Sequence, residues 1–208
     1  MLPALWVAKT GLSAQDTNLT VISNNLANVS TTGFKRDRAE FADLLYQIKR
    51  QPGAQSTQDS ELPSGLQVGT GVRIVGTQKS FVAGSLQTTE NPLDMAVNGR
   101  GFFQVLQPDG TVSYTRDGTF HLNSDGQIVT ANGYALEPAI VVPNDAQTFT
   151  VGQDGTVSIT TAGNPAAQVI GNIQTADFIN PAGLQAIGDN LFLAVSYTHL
   201  TLPTNREV

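Results

Sequence analysis

Leucine returns at every seventh position near the start of the chain, at Leu5, Leu12, Leu19 and Leu26. The positions three further on, Ala8, Gln15, Ile22 and Val29, are apolar except for Gln15. This is an a/d heptad pattern, the mark of a helix with one narrow apolar stripe. Lys9, Ser13, Asp16, Thr17, Asn18, Thr20 and Asn24 fill the faces between. The pattern predicts one helix of about 27 residues, about 40 Å long. Pro3 sits where a first-turn proline is tolerated, and Thr31-Thr32-Gly33 supplies β-branched residues and then a glycine to stop the helix. Such a helix is marginal alone in water. Burying its leucines is worth on the order of 6 to 12 kcal/mol as an upper bound. The stripe asks for cover from the chain's own domain or from a partner helix, and a regular seam at a chain terminus favours the coiled-coil partner.

After Gly33 the run from Phe34 to Tyr46 has mixed charges, and its apolar spacing fits a short helix or an extended arm alike. Residues 51–71 hold Pro52, Gly53, Pro63, Gly65, Gly69 and Gly71 among Ser, Gln and Thr, which reads as a long connector dividing the chain. From Val72 onward the pattern shortens to β-prone stretches. Asp-Gly pairs fall at Asp109, Asp117, Asp125 and Asp154, and Asn-Gly pairs at Asn98 and Asn132. These are hairpin-turn signals. The eight-residue spacing of the first three Asp-Gly turns predicts a meander through 111–115, 119–122 and 127–130, with more strands at 139–142, 148–151, 156–160 and 168–178. The expected fold is mainly β, a sandwich or barrel-like domain preceded by an amphipathic α-helix. The expected divisions are 1–33 for the helix, 34–71 for arm and connector, 72–194 for the β-domain and 195–208 for a tail.

Composition narrows the chemistry. Across 208 residues, 11 Lys and Arg stand against 17 Asp and Glu, a net charge of −6, so nothing here would neutralise a phosphate backbone. No nucleic-acid partner is expected. Charged residues are only 13% of the chain, and amides and hydroxyls supply the missing polarity, which suits close packing of chain on chain. There is no cysteine, which excludes disulfides, thiolate nucleophiles and cysteine-based metal sites. The apolar runs are far shorter than the roughly 20 residues of a membrane helix, so no membrane insertion is expected. The N-terminal segment has no basic region of the secretory type, so the chain stays inside or leaves without cleavage.

Candidate reactive groups are few. His121 lies in a strand pattern and His199 near the end, and no motif links either to a serine. Each Asp of the Asp-Gly pairs is explained by turn geometry. The run Gly69 to Gly76 has the wrong glycine spacing and the wrong sequel for a dinucleotide loop. Two glycosylation-type triplets, at Asn18 and Asn28, fall on the predicted helix. Lys35, Arg36 and Arg38 are offset by Asp37 and Glu40, as on a solvated face or interface rim. No catalytic residue, metal ligand or cofactor is expected.

Three strings carry a resemblance: Thr10 to Gln15, then Ser23-Asn24-Asn25-Leu26-Ala27-Asn28, then Thr32-Gly33-Phe34-Lys35. They resemble the flagellar axial proteins, the family of rod and hook subunits. Residues 45–47, 50–56, 62–72, 91–103 and 177–184 look like the distal-rod members of that family. The resemblance implies a structural subunit without catalysis, exported unfolded by the flagellar type III apparatus and not cleaved. Such a subunit polymerises with itself into a drive shaft that spans the periplasm, between proximal rod proteins and hook protein and inside the basal-body rings. It further implies that Leu5, Ala8, Leu12, Leu19, Ile22, Leu26 and Val29 pack on a C-terminal helix of the same chain. The connector, with Pro52, Gly53, Leu62, Pro63, Gly65 and Leu66, would set a straight rod apart from a bending hook, and the β-domain would form the outer layer. Residues 195–208 have no heptad where the family closes with its second helix, so the expectation is a chain truncated at its C-terminus with a foreign tail. The alternatives are another axial subunit, proximal rod or hook, and a secreted β-rich binding module.

Overall fold

Helix α1 spans Pro3–Ala27 in a computed structural model of the chain, which describes residues 2–53, 55–57, 60–61, 64–195 and 200–201. Pro3 stands in the first turn, and the helix ends before the predicted stop, with the Asn28 N–H donating to the Asn24 carbonyl. The stretch whose type the spacing left open is extended: β1 covers Asp37–Asp43. It pairs antiparallel with β6, Val72–Lys79, from Asp37 opposite Lys79 to Asp43 opposite Val72, with a bulge at Glu40/Phe41. Between them the chain runs through β2 (Tyr46–Arg50), β3 (Gln55–Thr57), β4 (Ser60–Glu61) and β5 (Leu66–Gly69).

The stretch that reads as a long connector is therefore corrected to a paired ribbon. Strand β2 pairs with β5, β3 pairs with β4, and the base of this ribbon is closed where the Leu44 N–H donates to the Gly71 carbonyl. Tyr46 and Ile48 alternate with Gln47 and Lys49, a period-two pattern too short to stand out beside the glycines and prolines at the bends. Gly65 lies so close to the Arg50 carbonyl and Pro52 that a Cβ would collide with them. Leu62 and Pro63 lie outside the described residues, as does most of 195–208, His199 included.

Two compact units result, cut elsewhere than the sequence pattern suggests: residues 1–29 with 36–80, and residues 30–35 with 81–208. The second contains the strands β7 (Phe102–Leu106), β8 (Val112–Thr115), β9 (Phe120–Leu122), β10 (Ile128–Thr130) and β11 (Ala135–Glu137). These are followed by β12 (Ala146–Val151), β13 (Thr156–Thr161), β14 (Asn164–Asn172), β15 (Thr175–Phe178), β16 (Gln185–Gly188), β17 (Leu191–Leu193) and β18 (Leu200–Thr201). An antiparallel sheet in the order β16-β17-β8-β7-β11-β10-β9, with β15 also on β7 and β18 on β15, accompanies a three-stranded sheet β12-β13-β14. The described residues are thus mainly β with one α-helix, at the N-terminus.

Neighbouring residues of a strand point to opposite faces, and Phe102 and Phe103 on β7 use this to seed two cores. Phe103 meets the Phe120 ring edge-on at 5.2 Å, in a core with Ile128, Leu136, Val157 and Ile159. Phe102 meets Phe178 at 5.7 Å, in a second core with Tyr114, Leu184 and Phe192.

The dipeptide turns at Asp109, Asp125, Asn132 and Asp154 close the hairpins β7-β8, β9-β10, β10-β11 and β12-β13, each followed by a glycine at positive φ. Asp117-Gly118 does not, and the regular meander breaks there. The site a Gly118 Cβ would fill is taken by the Met95 carbonyl, Asp94 bridges to Thr119, and β8 pairs with β17 instead of β9. The expected strand at 139–142 is reduced to a single bridge between Gln127 and Val141. The expected strand at 168–178 is divided into β14 and β15, which lie in different sheets.

Candidate assembly surface

The helix docks on its own unit, but not by its leucines. The face turned towards β1 and β6 is small and polar: Ala14 is 4% exposed, and Thr10, Gly11, Thr17, Asn18, Val21 and Asn25 are half-buried around it. These positions recur every three or four residues, as one helix face must. Leu5, Leu12, Leu19 and Leu26 are 62 to 74% exposed, and Ala8, Ile22 and Val29 are exposed beside them. At 3.6 residues per turn the leucine row lies between a third and a half of a turn from Ala14, at the centre of the docked face. One helix therefore carries two separate faces, one used within the unit and one open.

The docked face is fastened at both ends by polar contacts. The Asn25 side-chain amide donates to the Asp37 carbonyl at 2.8 Å and its Oδ1 accepts the Asp37 N–H at 2.9 Å, so one side chain imitates a strand neighbour for β1. The Asp37 carboxylate in turn takes Lys79 Nζ at 2.7 Å, a part-buried pair across the β1-β6 ladder. Near the other end the Thr10 hydroxyl accepts the Val72 N–H. Within the motif Ser23 to Asn28, Asn25 is thus the anchor, Asn28 donates its amide to the Asn24 carbonyl, and Leu26 faces outward. Ser23, Asn24 and Ala27 are exposed.

The second motif, Thr32-Gly33-Phe34-Lys35, belongs to the other unit. Asn190 donates to the Thr32 carbonyl, and Lys35 Nζ donates to the Val82 carbonyl. Gly33, at φ +74, lies against the backbone of Arg116 and Asp117, too close for a side chain. Burial and the neighbouring Arg116 cation hold the Lys35 ammonium below its ordinary range. Arg116 is itself pushed down by burial, with Asp177 opposing. Its guanidinium sits 5.3 Å over the Phe102 ring and donates to the carbonyls of Val97 and Gly99. The motif is a clasp on the β-domain.

The ribbon β2-β5 is exposed over almost its whole length. Every residue of β2 is exposed, and Tyr46, Ile48, Leu66 and Val68 are 40 to 58% accessible. Among the described residues no layer covers these two strands, and a lone pair of strands is at best marginally stable in water, so the ribbon gains by being covered. Pro52 and Gly53 form the bend after β2, Gly53 at φ +77. Asp109 and Asp154 are held below the usual carboxylate range by the hydroxyls and then the backbone N–H groups of Thr111 and Thr156, which is turn chemistry. His121 is exposed on β9. Among the described residues no helix is long and apolar enough to cross a membrane, and no three His, Cys, Asp or Glu side chains are grouped to hold a metal.

One unit with a helix whose leucine row is open and a bare ribbon, and a second unit that is a β-domain, give the chain the build of a structural subunit. Comparison with known proteins gives its family. The family model described as "Flagella basal body rod protein" matches residues 5–35, and that described as "Flagellar hook protein FlgE/F/G D1 domain" matches residues 96–159. The flagellar basal-body rod protein FlgG of Buchnera aphidicola subsp. Schizaphis graminum is 52% identical over 192 residues, 92% of this chain and 74% of that protein. The FlgG of Caulobacter vibrioides is 46% identical over 193 residues, again 92% and 74%. The flagellar hook protein FlgE of Helicobacter mustelae is 40% identical over 139 residues, 66% of this chain and 30% of that protein. The chain belongs to the flagellar basal-body rod protein family.

Proposed function

We propose that the chain is a structural subunit of the distal rod of the bacterial flagellum, which polymerises with copies of itself into a stiff shaft and has no catalytic role. The observation that carries this reading is the division of α1 into a docked polar face and an open leucine row. Four leucines displayed on one line gain by burial against another helix, and the packed axis of a shaft supplies that cover. In the assembly the leucine row packs against another helix, the ribbon β2-β5 is wedged between neighbouring subunits and stiffens the shaft, and the β-domain forms the outer layer. The finer assignments follow the same reading: export by the flagellar type III apparatus without cleavage, a periplasm-spanning position, and contacts with proximal rod proteins, hook protein and the surrounding rings.

The test is incorporation. Exchanged for the corresponding residues of a related rod protein in a motile bacterium, residues 1–194 with a tag are recovered in purified basal bodies, and their Leu19→Asp variant is not, although it folds equally well. Absence of the unsubstituted chain from basal bodies, or equal recovery of the variant, counts against the reading.

A further inference from the structure

Two features of the molecule are incomplete and match each other. The first is a groove of about 200 Å³ in the helix-bearing unit, between the first half of α1 and β6. Its floor is apolar, with Ala14, Val72 and Ile74, and Trp6 stands at its side, 54% exposed. Lys9 and Arg73 line it as well, and neither makes an ion pair among the described residues; Lys9 lies 5.5 Å over the Trp6 ring.

The second feature is the strap that precedes the β-domain's first strand. Residues 82–90 are exposed throughout, with Val82 at 74% and Leu86 at 68%. Among the described residues the backbone of 83–90 has no hydrogen-bond partner. Alternate positions face the same way in an extended chain. Laid out so, Val82, Leu86 and Glu90 share one side, and Ala83, Ser85, Gln87 and Thr89 share the other. The strap thus offers two aliphatic side chains in line with one carboxylate, the complement of an apolar floor rimmed by two cations. The charge of the whole chain is divided in the same sense. The groove-bearing unit has 7 Lys and Arg against 6 Asp and Glu, and the strap-bearing unit has 4 against 11.

We propose that the Trp6 groove of one copy seats the strap of a second copy, Leu86 entering the apolar floor and Glu90 meeting Lys9 and Arg73. The contact joins different surfaces of the two copies, the heterologous kind that propagates into an open helical polymer instead of closing as a dimer. This inference rests on the rod reading and names a surface through which its subunits meet.

The chain has one tryptophan, Trp6, and no cysteine, so the groove has its own fluorophore and introduced thiols are the only ones present. The full chain is titrated with a synthetic peptide of residues 81–94 while Trp6 emission is followed. A saturable shift is expected, about tenfold weaker for the peptide with Glu90→Lys, and the preference reverses in the chain with Lys9→Glu and Arg73→Glu. In a second arm, Lys9→Cys chain is mixed with isotope-labelled Glu90→Cys chain under mild oxidation. A 9–90 disulfide is expected between copies, and it disappears when Leu86→Asp is added. These positions are exposed or at a groove rim, and circular dichroism verifies that each variant folds. Three results overturn the proposal: no emission change with the peptide, equal binding of both peptides, or a 9–90 bridge that forms only within one chain carrying both cysteines. A chain that enters basal bodies yet gives none of the expected signals overturns the inference and leaves the rod reading standing.

Discussion

Asn25 shows how much one side chain contributes here. Its amide supplies both a donor and an acceptor to the backbone of Asp37, so truncation leaves two part-buried groups unpaired. Leaving such groups unsatisfied costs about 1 to 3 kcal/mol. Asn25→Ala is therefore expected to lower the stability of the helix-bearing unit by that amount in chemical denaturation, while Asn24→Ala, at an exposed neighbour, changes little. The turn aspartates contribute to stability against acid. Asp109 and Asp154 ionise below their ordinary value of 3.8 in the folded chain, so the folded state holds fewer protons than the unfolded one as pH falls. Their contribution is fully present above about pH 3.8 and is lost as pH falls through the depressed values. Replacing the hydroxyl donor in Thr111→Val is expected to raise the Asp109 carboxyl towards 3.8 in an NMR titration and leave Asp154 where it was.

At the scale of elements, the heptad pattern locates α1 but not the face by which it is held. Hydrophobic periodicity weighs leucine most, whereas docking uses Ala14 and a row of hydroxyls and amides that any polar helix face would display. A direct comparison separates the two faces. Leu12→Ala is expected to change the unfolding free energy by less than about 0.5 kcal/mol. Ala14→Asp, which places a charge at a buried position against β6, costs roughly 2 to 4 kcal/mol by the same measurement. Turns were legible where the dipeptide alone decides, as at Asp109 and Asp125. They were not legible at Asp117-Gly118, where the same dipeptide serves the close approach of the Met95 backbone, a contact from a distant part of the chain. The ribbon is hidden in the sequence because its strands are only two to five residues long, and the glycines and prolines at its bends outweigh them. The roles of Asn25, Thr10 and Lys79 depend on which backbone atoms the fold brings beside them, and no spacing in the sequence encodes that.

At the scale of the whole molecule, the leucine row, the bare ribbon and the groove beside Trp6 are surfaces that the described residues leave uncovered, and each is expected to lose accessibility on assembly. Hydrogen exchange and surface labelling of chain recovered in basal bodies, compared with the soluble chain, measure that change residue by residue. The connectivity of the two units adds a mechanical consequence. The backbone passes from one unit to the other after Val29, returns after Lys35 and crosses again after Ser80. A load drawing the units apart is shared by three covalent strands in parallel. A single proteolytic nick at any one crossing leaves two intact, a useful redundancy in a part that works under torque.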